Sequence, residues 1–146
     1  MTMCAATRAV PAEVEAAIGW WGEQVAGPLA RNNGDDLQSI MLMLVAAKAP
    51  VPGEEEVRRF AEELRARWRE RHARAWAGGR SFVWSCDCGP GADLFEAAAA
   101  AGIDARNFPV KTVCWVEPGR VAVARGYRAP IVALYPPAAT GEEGRG

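Results

Sequence analysis

The residues best equipped for chemistry are few. Cys86 and Cys88 are separated by one residue, Cys114 follows later, and Cys4 lies near the start. Alternate residues of a strand share a face, so Cys86, Cys88 and Cys114 could converge. Paired zinc ligands usually have about two to four residues between them. The Cys86/Cys88 spacing is tighter than that, and no second pair accompanies it. Cysteine is also a common small core residue. The thiols are therefore read as structural, and neither a metal nor another cofactor is expected. Cys88 has the best case for reactivity. It falls in a turn between a strand and a helix, where helix N–H groups lower a thiol's pKa. Its base would be Asp87 or His72.

His72 is the only histidine, so any Ser-His-Asp or Cys-His arrangement would depend on it alone. It sits among arginines late in a helical stretch and reads as a partly solvated helix residue. The chain contains no nucleophile elbow, no zinc-protease helix and no phosphate-binding loop motif. Gly89-Pro90-Gly91 resembles an anion-binding turn between strand and helix. Pro90, however, removes one of the N–H donors that such a turn uses. No catalytic residue is assigned.

The arginines are more informative by placement than by number. The chain has fifteen Arg and two Lys, and alanine is also heavily used, as a GC-rich genome would produce. Six arginines (Arg65, Arg67, Arg69, Arg71, Arg74 and Arg80) nevertheless face one acid, Glu70, between positions 65 and 80. Helical geometry spreads them over the solvent side while Leu64, Trp68 and Ala75 turn inward. Trp76 would lie beside this basic face. Arg65, Arg67, Arg69, Arg71, Arg74 and Trp76 thus form a candidate partner-binding surface. It suits an acidic protein or phosphates. A solvated helix flank, offset by the Glu54-Glu55-Glu56 and Glu62-Glu63 clusters, is the simpler alternative.

A second candidate surface lies in the last third of the chain. Lys111 is one of only two lysines, which suggests that a compact ammonium is wanted there. Lys111, Val113 and Trp115 alternate on one strand face, with Thr112, Cys114 and Val116 on the other. Arg125 and Tyr127 follow on the next strand. With Asp87, the residues Lys111, Trp115, Arg125 and Tyr127 could line a groove, or else be core aromatics rimmed by charge.

These surfaces must be carried by a chain of 146 residues, which is enough for one domain. Half of it is apolar, a quarter is charged, and the net charge is -1, so neither a globally basic nor an acidic disordered protein is indicated. The longest apolar run is too short to cross a bilayer and no signal-peptide pattern opens the chain, so a cytoplasmic protein without membrane contact is expected. Val14, Ala17, Ile18, Trp21 and Val25 mark one face of a first helix after Pro11. A second, mostly apolar helix is expected over 35–47. A third is expected over 54–76, with Val57, Phe60, Ala61, Leu64 and Trp68 inward. A strand over 81–86, a fourth helix over 92–101 anchored by Leu94 and Phe95, and a hairpin of 110–117 with 120–125 follow. A last strand is expected over 131–135. This is an α+β order: three helices plus a fourth on a small, mainly antiparallel sheet. Residues 1–135 make the domain, and 136–146 read as a disordered tail.

Several stretches together resemble a family of small phage and prophage proteins of unassigned function. They are Trp20-Trp21, Asn33-Gly34-Asp35, Cys86-Asp87-Cys88-Gly89-Pro90, Ala101-Gly102-Ile103 and, most specifically, Phe108-Pro109-Val110-Lys111-Thr112-Val113-Cys114-Trp115. Val121, Val123 and Gly126-Tyr127 follow. Cys88 stands where that family has an aromatic, Val110 where it has Trp, and Cys114 where it has Met. The resemblance implies a mobile-element origin and carries no catalytic assignment. The expected function is a non-enzymatic accessory protein that binds a host macromolecule, such as a defence-system protein, in the bacterial cytoplasm. The alternatives are nucleic-acid binding through the arginine helix and a small thiol enzyme using Cys88.

Overall fold

A computed structural model describes residues 9–26, 49–126 and 128–136. The helix expected over 35–47, Cys4, Tyr127 and all but Pro136 of the expected tail lie outside them. The order of elements is α1 (Ala12–Ala26), α2 (Glu54–Arg71), α3 (Ala73–Ala77), β1 (Phe82–Cys86), α4 (Ala92–Ala101), a 3-10 turn (Ala105–Asn107), β2 (Thr112–Glu117), β3 (Arg120–Arg125) and β4 (Val132–Tyr135).

The strands form one antiparallel meander in the order β1-β2-β3-β4, and the helices pack on it, giving an α+β architecture. Strand alternation decides which face is covered. Trp84, Cys114 and Val123 stand in register across three strands, Val116 and Val121 pair across two, and all five join the helical core. The opposite face carries Val83, Trp115, Ala122 and Ala133 in register. The β2–β3 connection is Pro118-Gly119. Gly119 has φ +87°, as the third position of a type II turn requires. Its N–H donates to the Glu13 carboxylate at 2.7 Å, which ties the hairpin tip to α1.

The apolar stripe of α1 is buried as its spacing predicts: Val14, Ala17, Ile18, Trp21 and Val25 are at most 1% exposed. Phe60, Leu64 and Trp68 do the same for α2, which opens with three acids at its positive end. The long third helix is interrupted, however. His72 leaves helical geometry at φ -123°, although its N–H still donates to the Trp68 carbonyl. The break resets the helical phase, so Ala73 is buried in place of the expected Ala75. In α4, Leu94 anchors the helix but Phe95 does not: it is 52% exposed. Gly102, at φ +79°, closes α4 in the left-handed conformation that glycine adopts without strain. Asn107 is buried and donates to the carbonyls of Pro50 and Asp104, fastening the segment that leads into α2. No described helix is long and apolar enough to cross a membrane.

Candidate functional site

The arginines of α2 are largely spent within the fold. Arg65 clasps Glu15 of α1 through Nε and Nη2, at 2.8 and 3.0 Å. Arg67 meets Glu63 one turn back at 2.6 Å and approaches Glu96 of α4 at 3.4 Å. Arg71 spans Asp93 at 2.5 Å and Glu96 at 2.7 Å. Arg69 also interacts within the chain. The four carboxylates neutralise most of the excess that the sequence places between positions 65 and 80. Arg74 and Arg80 are exposed and form no ion pair among the described residues. Trp76 does not stand free beside a basic face. It is half-buried, edge-on to Trp68 and Phe82 at centroid distances of 6.3 and 6.1 Å. The six-residue surface is thus divided: three of its arginines cross-link helices, and only its Arg74 end, next to Arg80, remains a cationic patch.

The cluster that replaces it centres on Asp93, which the sequence reading did not single out. Asp93 lies in the first turn of α4, where the helix dipole favours a carboxylate. Its side chain is 11% exposed. It accepts bonds from Arg71, from His72 Nε2 at 2.8 Å and from the Trp84 indole at 2.9 Å. A carboxylate only accepts, so the His72 proton in this pair sits on Nε2. Burial alone would raise the Asp93 pKa. The bonds from His72, Trp84 and Arg71 outweigh that and hold it below the usual carboxylate value. The imidazole stacks on Phe82 at 4.5 Å with 14° between the planes. His72 is therefore a joint between α2, β1 and α4. The only signal for this in the sequence was a lone histidine next to the arginine run, with an acid opening the next helix.

The expected groove is only partly assembled. Lys111 is not a strand residue, because β2 begins at Thr112. It adopts φ +52° just before the strand. Its N–H donates to the Asp87 carbonyl at 2.9 Å, its ammonium to Oδ1 of Asp87 at 2.6 Å, and its carbonyl accepts from Gly126 at 3.1 Å. Lys111 thus clamps the ends of β1 and β3 to the start of β2. Its side chain, Asp87 and Val113 line one shallow depression on the outward sheet face, with Gly126 and Arg128 opposite. Trp115 lies on the same face but lines a neighbouring depression with Val83, Glu117, Arg120 and Ile131. Arg125 is not on that face. It is registered with Thr112 and Cys86, whose side chains point to the core.

The thiols do not converge into a site. Cys86 and Cys114 are buried on the inner face, and desolvation raises both thiols, Cys114 to about 12. Cys88 is exposed in the turn before α4. His72 stacks on Phe82 at the far end of β1, and four strand rises of about 3.3 Å separate that end from Cys86. Asp87 is taken by Lys111. Neither expected base is placed to activate Cys88. No group of three or more His, Cys, Asp or Glu among the described residues could hold a metal ion. Alkylation of the native protein is therefore expected to label Cys88 and spare Cys86 and Cys114 until denaturant is added. Peptide mapping by mass spectrometry reads this, and native labelling of Cys114 would contradict the inner-face register.

The two edges of the sheet differ. β4 is bracketed by Pro130 and Pro136, and its pairing with β3 shifts register at Val121/Ala122. β1 has neither proline nor charge, pairs with β2 in unbroken register, and borders a groove lined by Val83, Ser85, Ala92, Leu94 and the largely covered Asp93. Comparison of the chain with known protein families and with curated proteins finds no match to either.

Proposed function

We propose that this is a non-enzymatic binding protein of phage or prophage type, which acts by occupying a host protein such as a component of a defence system. The phage character rests on the likeness around Phe108 to Trp115. The binding role rests on the outward face of the sheet. There Val83 (50% exposed), half-buried Trp115 and Ile131 (62% exposed) gather over the small Ala122, and no described residue covers them. Ion pairs stand at both ends, Glu117 with Arg120 and Asp87 with Lys111. An apolar centre holding a tryptophan, with a charged rim, is the make-up of a protein-binding patch. The arginine helix supports nucleic-acid binding less, because Arg65, Arg67 and Arg71 already have carboxylate partners.

Trp115→Ala tests this. The side chain is half-buried on an open face, so the substitution is expected to cost only about 1 kcal/mol of stability, by partial loss of apolar burial. The same change removes the anchor of the patch and is expected to weaken partner binding by about two orders of magnitude, the scale of a binding hot spot. Crosslinking in the host followed by mass spectrometry, with the captured protein then titrated in purified form, supplies the readout. A partner bound equally well by Trp115→Ala would sink the sheet-face reading. So would steeply salt-dependent nucleic-acid binding that is lost in Arg74→Glu/Arg80→Glu.

A further inference from the structure

We propose that the free edge of β1 is a strand-addition site for an extended segment of a partner protein, apolar along its length and acidic at its C-terminal end. This rests on the binding role above and names the partner's chemistry.

In an antiparallel pair, backbone groups point alternately toward and away from the neighbouring strand. The Ser85 carbonyl accepts from the Gly91 N–H at 2.9 Å, on the side away from β2. Val83, two residues earlier, therefore turns its own N–H and carbonyl to that same open side, as does the N–H of Ser85. Nothing among the described residues bonds to these three groups. The loop over 87–91 closes the far end of the edge, through Gly91 on Ser85 and a bridge between Cys86 and Pro90. What stays open is a short edge opposite Phe82 to Ser85.

The protection of the two edges points the same way. Sheet edges are normally blunted by proline, charge or a bulge. β4 has flanking prolines and an irregular register, whereas β1 pairs with β2 in unbroken register and Pro90 covers only its Cys86 end, leaving Phe82–Ser85 with no proline, charge or bulge. The groove beside β1 runs between the strand and the first turn of α4, with Val83 on one side and Ala92 on the other. Ala92 and Phe95, both exposed, share a face of α4. An added strand would hydrogen-bond to Val83 and Ser85 and lay apolar side chains on these walls. This is the mode in which backbone pairing supplies affinity and flanking pockets supply selectivity.

Charge sets the direction and the composition. Arg80 precedes β1, and Arg74 is on α3, whose Trp76 touches Phe82 at the start of the strand. These two, exposed and without ion pairs among the described residues, make the N-terminal end of β1 basic. An antiparallel guest brings its C-terminal end there, so acidic residues or a terminal carboxylate at that end complement the patch.

The experiment uses the full chain and three synthetic heptapeptides, each a run of alternating Val and Thr closed by two charged residues. One ends in two Asp, another in two Lys, and the third is the Asp-ended peptide N-methylated at alternate residues. Amide chemical-shift titration is expected to show saturable binding of the Asp-ended peptide, with shifts concentrated at Val83 to Ser85 and the first turn of α4. Binding should weaken about tenfold or more with the Lys-ended peptide, the N-methylated peptide, Arg74→Glu/Arg80→Glu, or Val83→Pro. Proline at position 83 removes the outward N–H and exchanges the Val83 side chain, but breaks no bond to β2. The double charge reversal and the modified peptides keep the test independent of how Val83→Pro folds. The proposal is overturned if no saturable shifts appear, or if the N-methylated peptide binds as well. It is also overturned if sedimentation shows a dimer that Val83→Pro dissociates, which would give the edge to a second copy of this chain. A host protein whose capture depends on Trp115 but is unaffected by Val83→Pro would refute the edge proposal alone and leave the binding role standing.

Discussion

Alanine at Trp21 is expected to destabilise the protein by about 4 kcal/mol, in the range for removing a large aromatic from a core. Trp21 is fully buried, 6.1 Å from Phe108 and 5.0 Å from Trp20 by ring centroids. It sits where α1 lies against the sheet, close to the inner-face strand residues. Truncation leaves a cavity among α1, the sheet and Phe108 that none of them can collapse into without moving the others. The loss is a large part of the total stability of an ordinary domain and corresponds to a Tm lower by about 12 °C at this size. Trp20 provides the control, since it is only half-buried and packs against the core from its margin. Trp20→Ala should cost less than half as much. Thermal and urea unfolding followed by circular dichroism compare the two, and equal costs would mean that the core is not centred on Trp21.

Replacing Asp93 by asparagine is expected to cost about 2 kcal/mol, the scale of losing hydrogen bonds to a charged group that is itself largely covered while its Arg71 partner stays exposed. The amide keeps the shape but loses the charge that Arg71 and His72 meet, and it cannot satisfy three donors as well as a carboxylate does. The pH dependence gives an independent signature. The folded-state pKa of Asp93 lies below its unfolded value. Its contribution is therefore complete above the unfolded value of about 3.9 and is lost as pH falls through the lower folded value. The wild-type protein should lose stability below about pH 4, and Asp93→Asn should lose less over the same interval, so the two curves converge in acid. Parallel curves from pH 7 to pH 3 would show that Asp93 is not the group involved. Asp104, held at about 2 by Arg106, titrates in both proteins and cancels in the comparison.

Much of the fold was legible in local pattern. The five-residue stripe of α1, the bounds of α4 and β3, the Pro118-Gly119 turn and the separation of Thr112, Cys114 and Val116 from Val113 and Trp115 all follow from period and turn chemistry, whereas which of those two faces turns inward does not. Helix and strand periodicities are enforced by backbone hydrogen bonds between near neighbours, so a short window contains the information. The errors arose where a distant group intervened. His72 breaks the third helix because its imidazole is drawn to Asp93, 21 residues away, and to Phe82. Lys111 leaves the strand pattern because Asp87 and Gly126, just past the ends of β1 and β3, hold its backbone and ammonium. Phe95 fails as an anchor because α4 turns that side away from the core.

The candidate surfaces show the same division more sharply. By itself the sequence determined that basic residues concentrate near the end of the third helix, that one strand alternates Trp115 and Val113 against Cys114, and that the architecture is α+β. The tertiary structure decided what those residues are available for. Glu15, Asp93 and Glu96 lie 22 to 50 positions from the arginines they meet. Only the docking of α1 and α4 against α2 turns an apparent binding face into a cross-link. Strand order likewise places β1 at an edge and leaves Val83 with open backbone groups, while register sends Arg125 inward. The physical reason is that periodicity and turns are local properties of the chain. Pairing and exposure depend on which surfaces close over one another once it has folded.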